Sequence, residues 1–307
     1  MLVSFIIPLF NCLSLTRECV ATLQKSLPTE LQYEIILVDD GSTDGTREWL
    51  ATLSIEFRII LNKSNLGYAK SNNRAAQLAQ GSLLCLLNND LIFKDGWWQP
   101  MSKIYEQLGE RAGAIGNIQR RVADQGIDHS GIRINAKGKP EHDQNYYCWP
   151  YQKREVPAVT GACLLINRNT FLQDGGFDES YLNGGEDVDL CFRLSAKEFI
   201  NVVALRSTVL HHVSASPGRK MRDERNSYLL ASKWRPQLKA LALRPYTRRY
   251  LTELWLTSIP SAIWKDVVIS LLYLSHFSSR APRIAITGVE QMMKIEFARW
   301  QALFGKS

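Results

Sequence analysis

Six cysteines stand in 307 residues, at positions 12, 19, 85, 148, 163 and 191, and no two of them make a Cys-x-x-Cys pair. This spacing argues against a zinc ribbon or dithiol motif and leaves reduced thiols in apolar runs as the expectation. Glycine (19) and proline (11) are not enriched and no solenoid-length repeat is present, which removes collagen-like, low-complexity and repeat architectures. A membrane-spanning helix needs about 20 mostly apolar residues. The most apolar stretch, Trp264 to Phe277, contains Lys265, Asp266 and His276, and extending it back to Leu251 adds Glu253 and Pro260, so no span is expected. The first residues, Met1 to Pro8, lack a basic leader and a small-residue cleavage site and read as a β-strand, which favours the cytoplasm. No Gly-x-Gly-x-x-Gly follows that strand. Gly305-Lys306-Ser307 lacks both the upstream glycine and the following helix of a phosphate loop.

What is present is an ordinary globular composition, 45% hydrophobic and 22% charged, enough for one large α/β domain and an appendage. The net charge of +7 is unevenly divided. Residues 1–215 hold 21 Lys/Arg against 24 Asp/Glu, whereas residues 216–307 hold 16 against 6. This places a basic, Trp-rich helical extension after a domain ending near residue 215. A basic surface suits nucleic acid or an anionic membrane leaflet. The extension carries no recognisable groove-reading motif, so nucleic acid is not the expected partner.

Leu2–Leu9 and Glu34–Asp39 are nearly continuous apolar runs of the kind buried on both faces of a parallel sheet. Residues 14–27, with Leu15, Cys19, Leu23 and Leu27 at helical spacing, lie between them, and a helix begins at Thr46. Strands follow at 57–61 and 82–87, with a Gly/Asn-rich loop, 62–68, and a helix between. Residues 117–155 read as polar loops and a hairpin over the sheet edge. Further strands are expected at 156–167 and 202–209, separated by a helix opening at 183–189. Alternating strands and helices predict an α/β fold with a mainly parallel sheet.

Such sheets bind ligands beyond the carboxyl ends of their strands, where this chain places Asp39-Asp40, Asn88-Asn89-Asp90 and His211-His212. Asp90 and His211 offer an oxygen and an imidazole to a divalent ion, with a diphosphate filling other positions. Asp39 and Asp44 are explained by turns and helix capping, while Asp40 is placed to accept a hydrogen bond from a base or ribose. In Glu186-Asp187-Val188-Asp189, the helix dipole alone accounts for acids in a first turn. Helical geometry separates them: Glu186, Asp189 and Arg193 share a polar row, whereas Asp187 heads the row of Leu190, Cys191 and Leu194. A carboxylate at the pocket end of an apolar row has the tuning of a general base. Glu186 either caps the helix or orients the base or its acceptor.

Together these residues resemble the family 2 glycosyltransferases of the GT-A (Rossmann-like) fold over roughly residues 2–230. The resemblance is carried by Ile6-Ile-Pro-Leu-Phe-Asn11, Val38-Asp-Asp-Gly-Ser-Thr-Asp44, Asn65-Leu-Gly-Tyr-Ala-Lys-Ser-Asn-Asn73, Leu86-Leu-Asn-Asn-Asp90, Gly161-Ala-Cys-Leu-Leu-Ile166, Gly175-Gly-Phe-Asp-Glu179, Gly185-Glu-Asp-Val-Asp-Leu-Cys-Phe-Arg193 and His211-His-Val-Ser-Ala-Ser216. It implies a GT-A domain over 1–215 with a helical extension over 216–307. It also implies a nucleotide pocket formed by Pro8, Phe10, Asp40, Asn65, Gly67, Asn89 and Asp90. Asn88 replaces the first acid of the family's Asp-x-Asp motif, so Asp90 and His211 would carry a Mn²⁺ or Mg²⁺ ion. Asp187 is implied as the base, with Glu186 beside it, for an inverting transfer. The Asn-Leu-Gly-Tyr-Ala and Asn-Asn-Asp pattern resembles the rhamnosyltransferase-like branch. This branch implies a dTDP- or UDP-sugar donor, a lipid-linked or cell-surface glycan acceptor, and an extension in peripheral contact with the inner membrane face. A non-catalytic sugar-nucleotide or glycan binder is the alternative.

Overall fold

The structure, a computed structural model, describes residues 1–145, 150–212, 219–256 and 264–305. Tyr146–Trp149 and Ser216–Gly218, which the sequence marks as an aromatic cluster and a break, lie outside the described residues. Two compact units are present: Met1–Ile132 with His142–Arg219, and Arg133–Glu141 with Lys220–Ser307.

In chain order the first unit contains β1 (Val3–Leu9), α1 (Leu13–Ser26), β2 (Tyr33–Asp39), α2 (Thr46–Leu50), β3 (Phe57–Leu61), α3 (Tyr68–Leu78), β4 (Leu83–Leu87), β5 (Leu91–Ile92), α4 (Trp98–Leu108), β6 (Ala112–Arg121) and β7 (Ile127–His129). A hairpin, β8 (Ile132–Ile134) and β9 (Pro140–His142), follows. After it come β10 (Lys153–Glu155), β11 (Cys163–Asn167), α5 (Arg168–Gln173), α6 (Glu186–Ala196) and β12 (Ile200–His211).

The principal sheet runs β10-β12-β6-β11-β4-β1-β2-β3, with β5 added to β12 and β7 to β6. From β12 to β3, β11 alone runs against its neighbours, making the central sheet mostly parallel. The apolar runs predicted as central strands are fully buried: Phe5, Ile6, Ile7, Leu84, Leu86 and Leu87 are each 0% exposed. Pro8 has no N–H to donate and falls where the β1–β4 pairing, which ends at Ile6↔Leu86, is already over. Phe5 packs edge-on against Trp98, whose neighbour Trp97 donates its indole N–H to Ser26 Oγ at 3.0 Å.

Two expectations are corrected. Residues 117–121 are not loop but the second half of β6, a central strand. Its sequence, Ala-Gly-Ala-Ile-Gly-Asn-Ile-Gln-Arg-Arg, has poor strand propensity. The small residues answer close packing: a Cβ on Gly116 would meet Val159 Cβ at 2.8 Å, and one on Gly113 would meet Asn201 Oδ1 at 2.7 Å. The strand predicted from 156 begins only at Cys163.

In the second unit, the hairpin groups with α7 (Arg219–Leu256), α8 (Trp264–Leu274) and α9 (Arg283–Phe304). Lys139 reaches Glu224 of α7 and Glu296 of α9 at 3.3 and 3.2 Å, and a Cβ on Gly138 would meet the Met293 side chain at 3.0 Å. α7 is kinked at Trp234, two residues before Pro236. No helix among the described residues is long and apolar enough to cross a membrane.

Candidate active site

The carboxyl edge of the sheet is assembled from four strand ends and the start of α6. β5 forms directly after Asn88-Asn89-Asp90 and pairs antiparallel with β12, with His211 opposite Leu91. This pairing brings Asp90 and His211 together across 120 residues of sequence: His211 Nε2 lies 3.4 Å from Asp90 Oδ1. Asp90 Oδ1 is buried and has no hydrogen-bond partner, and at that distance the imidazole makes an ionic contact only. A buried carboxylate oxygen left open beside an imidazole nitrogen fits the donor set of a divalent cation.

The other ring nitrogen of His211 is held by a residue that the sequence reading missed. Asp128 Oδ2 lies 2.9 Å from His211 Nδ1. Burial opposes charge on His211, but the hydrogen bond to Asp128 and then the proximity of Asp90 outweigh it and raise its pKa to about 9. Burial likewise opposes the Asp128 carboxylate, yet His211 holds it below the ordinary carboxylate value. The arrangement is that of a carboxylate fixing the tautomer and orientation of a ligating histidine. Asp128 sits in the 117–155 segment, read from the sequence as polar loops and a hairpin, and no motif there marks it.

Asp187 reaches the same edge by a different route. The left-handed turn at Asn183 (φ 50°), Gly184 (138°) and Gly185 (92°) lifts the chain into α6. Asp187 then accepts Gly161 N–H at 2.9 Å and Val188 N–H at 2.8 Å. The next carbonyl after Gly161, that of Ala162, accepts Asn88 N–H at 2.9 Å, two residues before Asp90. Tyr68 donates its hydroxyl to the Gly161 carbonyl at 2.7 Å, and Asn183 Oδ1 accepts Tyr68 N–H at 3.0 Å. Tyr68 and Asn183 thus brace the segment on which Asp187 rests.

Of the three acids in α6's first turn, Glu186 and Asp189 are buried and Asp187 is half-buried. Burial raises the Asp187 pKa against the pull of its two backbone donors and of His142, which lies within electrostatic reach. Burial, and then Asp187 itself, push Glu186 up to about 8, and its side chain accepts Gly184 N–H at 2.6 Å. Asp189 instead pairs with Arg193 at 2.8 Å, completing the polar row.

The remaining predicted positions divide by what they touch. Asp40 is 4% exposed, and its oxygens accept Asn62 Nδ2 (2.8 Å), Leu66 N–H (2.8 Å) and Gly67 N–H (2.9 Å), so its carboxylate holds the 65–67 loop. Gly67 (φ 90°) supplies the left-handed conformation at the start of α3, and Asn65 is exposed. Asn89 donates to Thr16 Oγ1 of α1 at 2.8 Å. Pro8 lies in β1, and Phe10 just beyond it presents a ring that is 49% exposed. Asp39, fully buried, binds Arg47 at 2.7 Å, while Asp44 accepts Leu13 N–H at 2.9 Å and Thr46 N–H at 3.3 Å at two helix starts. These two acids have structural roles.

A mostly parallel sheet with two neighbouring acids and a carboxylate–imidazole pair at its carboxyl edge is the architecture of a GT-A glycosyltransferase. The chain belongs to glycosyl transferase family 2, whose sequence profile matches residues 4–173, more than half of its length. It is 30% identical over 220 residues to the N-acetylglucosaminyl-diphospho-decaprenol L-rhamnosyltransferase of Mycobacterium tuberculosis, covering 63% of this chain and 71% of that one. It is 29% identical over 264 residues to the O-antigen biosynthesis protein RfbC of Myxococcus xanthus, covering 81% of this chain but spanning only 20% of the relative's length. Among solved structures, GalNAc-T7 with UDP, GalNAc and Mn²⁺ superposes with a TM-score of 0.65 at 15% identity, covering 96% of this chain and 57% of that one, which is a likeness of fold.

Proposed function

We propose that the chain is an inverting, divalent-metal-dependent glycosyltransferase. It would move a sugar from a dTDP- or UDP-sugar to a hydroxyl of a lipid-linked or growing cell-surface glycan. The observation that carries this reading is one sheet edge holding both a half-buried, backbone-anchored carboxylate, Asp187, and the Asp90–His211 pair. The names of the mycobacterial and Myxococcus relatives support a rhamnosyltransferase-like donor and an envelope glycan acceptor.

In this reading Phe10 offers an exposed ring to the nucleotide base, beside Pro8. Asp40 acts by holding the backbone of the loop that carries Asn65 and Gly67. Asn89, tied to α1, fixes the turn that presents Asp90. Asp90 and His211 Nε2 would hold the cation, with Asp128 orienting the imidazole. When bound, such an ion offsets the charge that develops on the leaving diphosphate. Asp187 takes the proton of the acceptor hydroxyl as its oxygen bonds to the anomeric carbon. The bond to the diphosphate oxygen breaks on the opposite side with its electron pair, so a single displacement inverts the centre. Glu186, whose pKa is pushed up to about 8 by burial and then by Asp187, stands beside the base.

The second unit supports contact with the cytoplasmic leaflet. α8 buries Val267, Ser270 and Tyr273 on one side, while Trp264, Val268, Leu271 and Leu272 are 44–54% exposed on the other. An exposed apolar face on a strongly basic segment suits an anionic lipid surface.

Asp187→Asn tests the central claim. Transfer is expected to fall by about 10²–10⁴-fold, with nucleotide affinity, read by calorimetry in the presence of Mn²⁺, changing less than about threefold. Turnover equal to that of the native protein would remove Asp187 as the base.

A further inference from the structure

Beside His211, but turned away from Asp90, lies a second group of metal-ligating side chains. Asp128, His129 and His142 each offer one ligand atom, and these atoms lie within 4.8 Å of one another. Adjacent residues of a regular strand point to opposite faces, so Asp128 and His129 require an explanation for sharing one. The β6–β7 register supplies it: Gln119 pairs with His129 and Arg120 with Ile127, so Asp128 is the extra residue of a bulge. A bulge re-aims a side chain, and here it brings the Asp128 carboxylate to 4.0 Å from His129 Nε2 while also serving His211.

His142 is brought in by backbone hydrogen bonds. Ser130 N–H donates to Asp143 C=O at 2.7 Å, and Asp143 N–H donates to Gly131 C=O at 2.9 Å. The two imidazoles come to 4.6 Å between ring centroids.

A second, independent observation points to a ligand. His129 is 1% exposed, and neither of its ring nitrogens has a hydrogen-bond partner. A neutral imidazole carries one donor and one acceptor, and leaving both unmet in a buried site costs about 1–3 kcal/mol for each group. Such orphans mark a missing water or ion.

We propose that Asp128, His129 and His142 form a binding site for a borderline transition-metal ion of the zinc class, separate from the Asp90–His211 pair. Two imidazoles and one carboxylate favour such an ion over Mg²⁺, which prefers an all-oxygen shell. Ligand atoms around tetrahedral zinc lie about 3.3 Å apart, so a group whose atoms lie within 4.8 Å must contract by up to about 1.5 Å, a movement open to the exposed His142. The carboxylate has lone pairs for both the ion and His211 Nδ1. The bound ion would pin the segment after β9 to β7. The inference does not depend on the transfer reaction proposed above.

The test is Zn²⁺ titration of the full chain, stripped with EDTA and free of nucleotide, in competition with a chromophoric chelator. The native protein is expected to bind one Zn²⁺ with micromolar or tighter affinity and to melt at a higher temperature with it. His142→Ala, on an exposed side chain, is expected to bind at least tenfold more weakly, to lose the melting shift, and to keep the metal-free melting temperature. His129→Asn provides a second loss of a ligand. Asp90→Asn should alter Zn²⁺ affinity less than threefold. The proposal is overturned by the absence of micromolar binding, by unchanged binding in His142→Ala, or by loss of binding in Asp90→Asn, which would place the ion at the other site.

Discussion

Asp187 and Glu186 are neighbours in one helical turn, yet their surroundings differ. Asp187 accepts the N–H groups of Gly161 and Val188 and Glu186 that of Gly184, while burial raises both. His211 shows the converse case, an imidazole held between two carboxylates with a pKa of about 9. Against about 6.5 in the unfolded chain, the folded form keeps a proton over that window which the unfolded form has lost. The resulting stabilisation is complete below the unfolded value and disappears as pH rises through the folded one. Asp128→Asn should flatten the fall in the urea midpoint between pH 6.5 and 9, and the NMR titration of His211 should move down from about 9. A His211 midpoint that stays near 9 would show that Asp128 does not hold it. A cation at Nε2 competes with the same proton, so metal affinity should rise with pH over that interval.

At the level of strands and turns, the site depends on the loop after β2 meeting the loop before α3. Gly41, at φ +85°, lies so close to the second loop that a Cβ would meet Asn65 N at 2.8 Å and Ser64 C at 2.9 Å. Gly41→Ala should destabilise the protein by about 1–3 kcal/mol, from backbone strain alone, and should shift the Asn65–Gly67 loop that Asp40 holds. Chemical denaturation and donor KM measure the two effects, and an unchanged KM would separate the loop from donor binding. The predicted β1, β2 and β4 were legible because they carry runs of apolar residues buried on both faces, and β3, at the end of the sheet with Leu61 52% exposed, because of its Ile59-Ile60-Leu61 run. β6 was not legible, since its glycines and buried polar side chains Asn117 and Gln119 make sense only against Val159, Asn201 and β12. The Asp128 bulge was hidden for the same reason: register is a property of two strands.

The distribution of charge and apolar surface over the chain carries a further expectation. The basic excess lies in residues 216–307, and the outward face of α8 leaves Trp264 and Leu271 each 54% exposed, with Phe277 beyond the helix at 86%. Replacing these three by serine should weaken partitioning onto vesicles containing phosphatidylglycerol by at least tenfold. Each fully buried large apolar side chain contributes about 1.5–3 kcal/mol, so the estimate requires only partial insertion. Because the three side chains are at least half exposed, the melting temperature should stay within a few degrees. Equal sedimentation with vesicles would reject this face as the contact. Added salt should weaken binding of the native chain, since the basic residues act through a screened field.

The order of the first four strands and the helices between them, the family resemblance and the identity of the acids and histidine at the strand ends could be read from the chain alone, because apolar runs and helical spacing leave local patterns. The partnership of His211 with Asp128, the grouping of the Arg133–Glu141 hairpin with the C-terminal helices, and the burial of Glu186 beside Asp187 were decided only by tertiary structure. Each depends on residues distant in sequence being brought to one place, and the proton affinities that follow are set by desolvation and by neighbours that no local window contains.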